Sequence, residues 1–148
     1  LGVAKYTALN IQPDYILALV RRAMAYKELK QTQEAQADFE QAIALTPQDA
    51  KDWNGRGMAL DELQRYEEAI ASYDQAIQIN SDDDDAWRHR GYSLQKLKQF
   101  EEAIVAYRQA IKINPDDGYA CNECGNSLWS SDRYQKALVS YDKALSQS

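Results

Sequence analysis

Few side chains in this sequence have the chemistry to act on a substrate. His89 is the single histidine, so neither a Ser-His-Asp triad nor a multi-histidine metal site has more than one imidazole to draw on. It falls on a helical stretch and reads as an ordinary surface residue. Cys121-Asn122-Glu123-Cys124 is a C-x-x-C at the start of a helix, a setting that can lower the first thiol's pKa for redox work. Zinc would need two more ligands, and the sequence has only these two cysteines. They match Trp87 and Arg90 one repeat earlier and therefore read as packing residues. The run Asp82-Asp83-Asp84-Asp85 offers oxygen ligands for calcium, but lacks the alternating ligands, central glycine and closing glutamate of an EF-hand loop. A solvated turn with helix-capping aspartates fits it better. Arg22, Arg56 and Arg90 recur at one interval and can be read as an anion ladder. The preferred reading has each bury its aliphatic stem between helices and pair its head with an acid of a neighbouring second helix. No catalytic residue, cofactor or metal is assigned.

Composition narrows the function classes further. Seventeen Lys and Arg against twenty-three Asp and Glu give a net charge of −6, whereas nucleic-acid binders need a basic face to displace counterions. No stretch approaches the roughly 18 consecutive apolar residues of a membrane span, and no charged-then-apolar leader is present. Two cysteines are too few for a disulfide framework, so a reducing compartment, and hence the cytoplasm, is expected. The chain opens at Leu1 rather than Met and reads as a segment of something longer.

The elements that must position these residues announce themselves as a repeat. Trp53 and Trp87 lie 34 residues apart, as do Gly57, Gly91 and Gly125. The same step of 34 links Ala35, Ala69, Ala103 and Ala137, and again Phe39, Tyr73, Tyr107 and Tyr141. One continuous array follows: 1–15 as the end of a preceding repeat, 16–49, 50–83 and 84–117 as full repeats, and 118–148 as a truncated fourth. Within each, apolar residues recur at helical spacing twice, which predicts first helices at about 16–29, 50–63, 84–97 and 118–131. Second helices follow at about 33–45, 67–79, 101–113 and 135–147, with a remnant at 2–11. Asp49, Asp83 and Asp117 stand where they can cap the first helices, and Pro47 and Pro115 where they can end the second. The small residues Ala23, Gly57, Gly91 and Gly125 let the paired helix approach, and the aromatic step fills the space between hairpins. The expected fold is all-α: a solenoid of antiparallel hairpins, because one hairpin cannot bury both of its apolar faces.

With Trp87, Gly91, Leu94, Ala103, Tyr107, Ala110 and Pro115 in the family's order, the sequence resembles the tetratricopeptide repeat family over nearly its whole length. It departs where Ser81 replaces the closing proline, where Cys121 replaces tryptophan, and where Arg22, Arg56 and Arg90 replace apolar residues. The resemblance implies a right-handed superhelix whose first helices line a concave groove for an extended or helical peptide. Carried over repeat by repeat, the groove positions select Val20 and Met24, then Asn54 and Met58, then Arg88 and Tyr92, and finally Asn122, Asn126 and Trp129. Leu17, Lys27, Lys51, Asp61, Asp85, Gln95 and Tyr119 share those positions. The clamp that some family members use on chaperone C-termini is absent, its places being taken by Val20, Met24, Gly55, Asp85 and His89. The expected function is a non-catalytic protein-interaction scaffold with a protein or peptide partner, and no nucleic acid or membrane. The alternative is a structural spacer or self-association module, joined end to end through Leu138, Tyr141 and Leu145 at one end and Tyr6, Leu9 and Ile11 at the other.

Overall fold

The computed structural model describes residues 15–147, so the predicted remnant helix at 2–11, with Tyr6, Leu9 and Ile11, lies outside the described residues. The chain divides after Ile79 into two units. The first holds α1 (Tyr15–Glu28), α2 (Thr32–Ala44), α3 (Ala50–Glu62) and α4 (Tyr66–Ile79). The second holds α5 (Asp84–Lys96), α6 (Phe100–Ile113), α7 (Gly118–Ser130) and α8 (Tyr134–Leu145). Each unit is all-α, two hairpins stacked side by side: α1/α2 on α3/α4, and α5/α6 on α7/α8.

The helix starts follow from the aspartates. Asp49, Asp83 and Asp117 each accept a hydrogen bond from the backbone N–H three residues on, at 2.9, 3.1 and 2.9 Å. These carboxylates satisfy one of the unpaired amides at each helix start and face the positive end of its dipole. The second helices α2 and α6 stop short of Pro47 and Pro115. The helix α4 stops at Ile79 with Ser81 in the proline's place; the Ser81 carbonyl instead accepts from the Trp87 indole at 3.0 Å.

The places of the turns inside the hairpins were legible, but their left-handed backbone was not. Lys30, Gln64, Lys98 and Asp132 all have φ near +60°, 34 residues apart and none of them glycine. Each ends a first helix with the same pair of reversed hydrogen bonds. After α5, Lys98 N–H donates to the Gln95 carbonyl and Gln99 N–H to the Leu94 carbonyl, both at 2.9 Å. This closure satisfies two orphan carbonyls, and it outweighs the roughly 1–2 kcal/mol that a side chain costs in the left-handed region.

In three of the four described hairpins the core is an aromatic ring set on a residue without room for a side chain. Tyr73, Tyr107 and Tyr141 lie against Gly57, Gly91 and Gly125; a Cβ at Gly91 would sit 2.8–3.0 Å from the Tyr107 ring, and one at Gly125 2.6–3.0 Å from Tyr141. The first hairpin uses Phe39 and Ala23, both buried with Ile16, Leu19, Val20, Ala35 and Ala42. Tyr73, Leu60 and Ala69 form the next cluster, and Ile43 and Met58 pack on both. Gly91→Ala should therefore destabilise the protein by about 1–3 kcal/mol despite alanine's better helix propensity, because the ring has nowhere to move. Urea denaturation of Gly91→Ala, alone and combined with Tyr107→Leu, checks this; the smaller partner should recover most of the loss.

Candidate functional site

The tyrosine rings that fill the hairpins also carry their hydroxyls through to the first helices. Tyr73 O–H donates to Asp61 at 2.6 Å, Tyr107 O–H to Gln95 at 3.3 Å and Tyr141 O–H to Asn126 at 2.8 Å. Asp61, Gln95 and Asn126 are all positions selected for the groove, so packing and site are joined by one side chain. Phe39 has no hydroxyl, and in that repeat Lys27 instead reaches across to Glu62 at 2.6 Å, tying α1 to α3.

In the first unit, Met24 is exposed at 37%, and Asn54 and Met58 are half-buried. Val20 is a correction: it is fully buried within the apolar cluster of α1 and α2, so it belongs to the core and offers no surface. In the second unit, Arg88 is held between charges and a ring. It pairs with Asp85 one turn back, reaches Asp117, the cap of α7, at 3.4 Å, and lies 5.5 Å from the centre of the Tyr119 ring. Burial opposes its charge, but the Asp85 hydrogen bond and the two carboxylates hold its pKa above the usual arginine value. Tyr92 has the Lys96 ammonium 5.0 Å from its ring centre.

Along α7 the residues Tyr119, Asn122, Asn126 and Trp129 fall on one stripe by steps of three and four. Tyr119 and Trp129, exposed at 49% and 57%, stand roughly 15 Å apart at its two ends. Trp129 is braced edge-on by Tyr134, with ring centres 4.8 Å apart. Between them Glu123 accepts from both amides, Asn122 at 3.1 Å and Asn126 at 3.2 Å. Each asparagine so oriented keeps hydrogen-bonding capacity that these contacts do not use.

Models of the tetratricopeptide repeat match the chain over residues 16–49, 39–71, 57–98 and 84–117, running together without a gap from 16 to 117. The chain belongs to the tetratricopeptide repeat family. No curated protein sequence matches it. Among solved structures, a crystal structure of MamA is similar with a TM-score of 0.73 at 21% identity, covering 96% of this chain and 83% of that one. A MamA AMB-1 structure gives 0.70 at 20% identity, over 90% and 78% of the two chains. YrrB, a TPR protein with an unusual peptide-binding site, gives 0.70 at 21% identity, over 89% and 68%. At these identities the likeness is one of fold.

The remaining chemical candidates of this tetratricopeptide repeat protein resolve individually. The aspartate run is a cap and a set of pairs: Asp83 caps α5, Asp84 accepts from Asn114 at 2.9 Å, and Asp85 holds Arg88. Among the described residues, no group of three potential metal ligands comes together. Arg22 grips Asp38 of α2 through two bonds of 2.6 and 2.7 Å, as expected. Arg56 does not find an acid; it donates to the Ile43 carbonyl at 3.2 Å and to Ser72, which occupies the position of Asp38, at 3.4 Å. Cys121 and Cys124 are free and buried, and burial raises both thiol pKa values where the helix start suggested the first would fall.

His89 is not the surface residue expected. It is half-buried, and desolvation, aided by the Arg88 charge and opposed by Asp85, lowers its pKa to about 4. Unfolded, the imidazole titrates near 6.5, so between pH 6.5 and 4 the unfolded chain binds more protons than the folded one. Stability from this group is complete above that window and falls as the pH drops through it, by up to about 1.4 kcal/mol per pH unit. Denaturant titrations at pH 7, 5.5 and 4 should show the slope, and His89→Gln should flatten it.

Proposed function

We propose that this protein is a non-catalytic scaffold that holds a peptide segment of a partner protein on the faces of its first helices, in the cytoplasm. The α7 stripe supports this reading most. Two exposed aromatics bracket two oriented amides, a pattern suited to an extended peptide: rings take apolar side chains, and amides pair with its backbone. Arg88 and Tyr92 extend that face on α5, and Met24, Asn54 and Met58 form a softer one on the first unit. YrrB, similar in fold, is itself a TPR protein with a peptide-binding site. A peptide selected from a random library on the whole chain should bind Asn122→Ala/Trp129→Ala at least tenfold more weakly by calorimetry. Val105→Ala, exposed on the second helix α6, should leave it unchanged. Equal loss in both variants, or none in the first, would refute the assignment.

Self-association through α8 is a second reading, and one observation favours it. Leu138 is exposed at 54% and Leu145 at 71%, whereas Ile104, at the position of Leu138 in α6 and covered by α7, is exposed at 2%. A second copy seated on α8 would bury what α7 buries on α6. The charge of −6 opposes contact between copies, so screening should strengthen it. Sedimentation at rising salt should show dimers that Leu138→Glu/Leu145→Glu abolishes. A strict monomer at millimolar protein and high salt would overturn it.

A further inference from the structure

A cavity of about 380 Å³ opens between α6, α7 and α8. Its origin is visible in the repeat. Where α3 carries Trp53 and Arg56, with the guanidinium 5.6 Å from the indole centre, α7 carries Cys121 and Cys124. Two large side chains become two small ones, and the space they would fill stays open. The walls are mainly apolar, formed by Ile111 of α6, the two cysteines and Val139 of α8.

Three cations stand over this apolar space: Arg108 from α6, and Lys136 and Lys143 two turns apart on α8. None of them is in an ion pair with a described residue, although Arg22, Lys27, Arg65, Arg88 and Arg133 all are. The thiols do not supply the missing negative charge. Burial keeps both neutral, and the Ser140 hydroxyl and Arg108 beside Cys124 do not reverse that. Three like charges around one opening, on a chain of net charge −6, repel one another until an anion joins them.

We propose that this cavity binds a small amphiphilic carboxylate, its apolar body against Ile111, Cys121 and Val139 and its head among Arg108, Lys136 and Lys143. The volume falls within the range of small-molecule sites, about 300–1,000 Å³. A bare inorganic anion would leave the apolar wall unused, and a neutral alkane would leave the cations unmatched. The site is separate from the α7 stripe and does not rest on the peptide-binding reading.

Decanoate below its micellar concentration is the probe, titrated calorimetrically into the whole chain beside decanol, inorganic phosphate and an acidic aliphatic peptide. Decanoate should bind at one site per chain, at least tenfold more tightly than the other three. Lys136→Glu/Lys143→Glu should weaken it at least tenfold. Val139→Trp, which fills the cavity from a position exposed at 70%, should do the same without endangering the fold. Bound decanoate should slow the reaction of Cys121 and Cys124 with a disulfide reagent several-fold, and Trp129→Ala should leave its affinity unchanged. The proposal is overturned if decanoate does not bind, if the two cavity variants bind it as the parent does, or if phosphate or the peptide binds more tightly.

Discussion

The contact between a tyrosine ring and a bare helix backbone sets the geometry of three of the four described hairpins. At Gly57, Gly91 and Gly125 the first helix offers no Cβ, and the ring from the second helix takes that space. Helix separation, the angle at which the pair can close and the depth of the ring all follow from this one exclusion of volume. Because the ring passes so close to the first helix, its hydroxyl emerges on the far side, within reach of Asp61, Gln95 or Asn126. The residue that closes the hairpin therefore also fixes a side chain on the face offered to a ligand.

That coupling explains which parts of the molecule could be read from the sequence. The packing positions recur because each hairpin must solve the same steric problem, so helices, caps and the recurring small and aromatic positions were visible in the 34-residue step. The tyrosine rings, expected between hairpins, pack instead on the glycines of their own hairpins. Contacts that depend on the path of a side chain were not. Val20 shares a repeat position with Asn54 and Arg88, yet lies buried in the core of the first unit, whereas Asn54 and Arg88 remain partly exposed. His89 shares its position with Gly55, whose absent Cβ would lie 3.2 Å from Ile16. That position is Arg21 and Glu123 in other repeats, so nothing in the sequence marked the imidazole as desolvated. The left-handed turn residues escaped because glycine is their usual mark, and Lys30, Gln64, Lys98 and Asp132 carry none. Their spacing of 34 was the only available signal.

The charged residues show how a repeat keeps its geometry while exchanging its chemistry. Arg22 meets Asp38 in a two-bond ion pair; one repeat later Arg56 meets Ser72 and a backbone carbonyl. In each case the guanidinium spans from a first helix to a second, and the pair differs only in what receives it. Arginine's five donors make that exchange tolerable, since a carboxylate, a hydroxyl or a carbonyl can each accept. Ties of this kind also link first helices to each other, through Lys27 and Glu62 in one unit and Arg88 and Asp117 in the other. They are partly exposed, so their value lies in holding the orientation of the face more than in stability.

The fourth repeat is where this tolerance reaches its limit. Cys124 cannot span to a second helix as Arg56 does, so Ser140, at the position of Ser72, is left beside a thiol. Cys121 removes the indole that would have covered it. A hairpin can accept these losses because the Gly125 and Tyr141 contact that sets its geometry is untouched. The fold therefore survives while its interior wall opens, and the cations that line the opening, Arg108, Lys136 and Lys143, stand where the preceding repeats carry Asp74, Glu102 and Gln109. Binding chemistry in such an array arises where a large repeat residue is lost beside a steric contact that is kept.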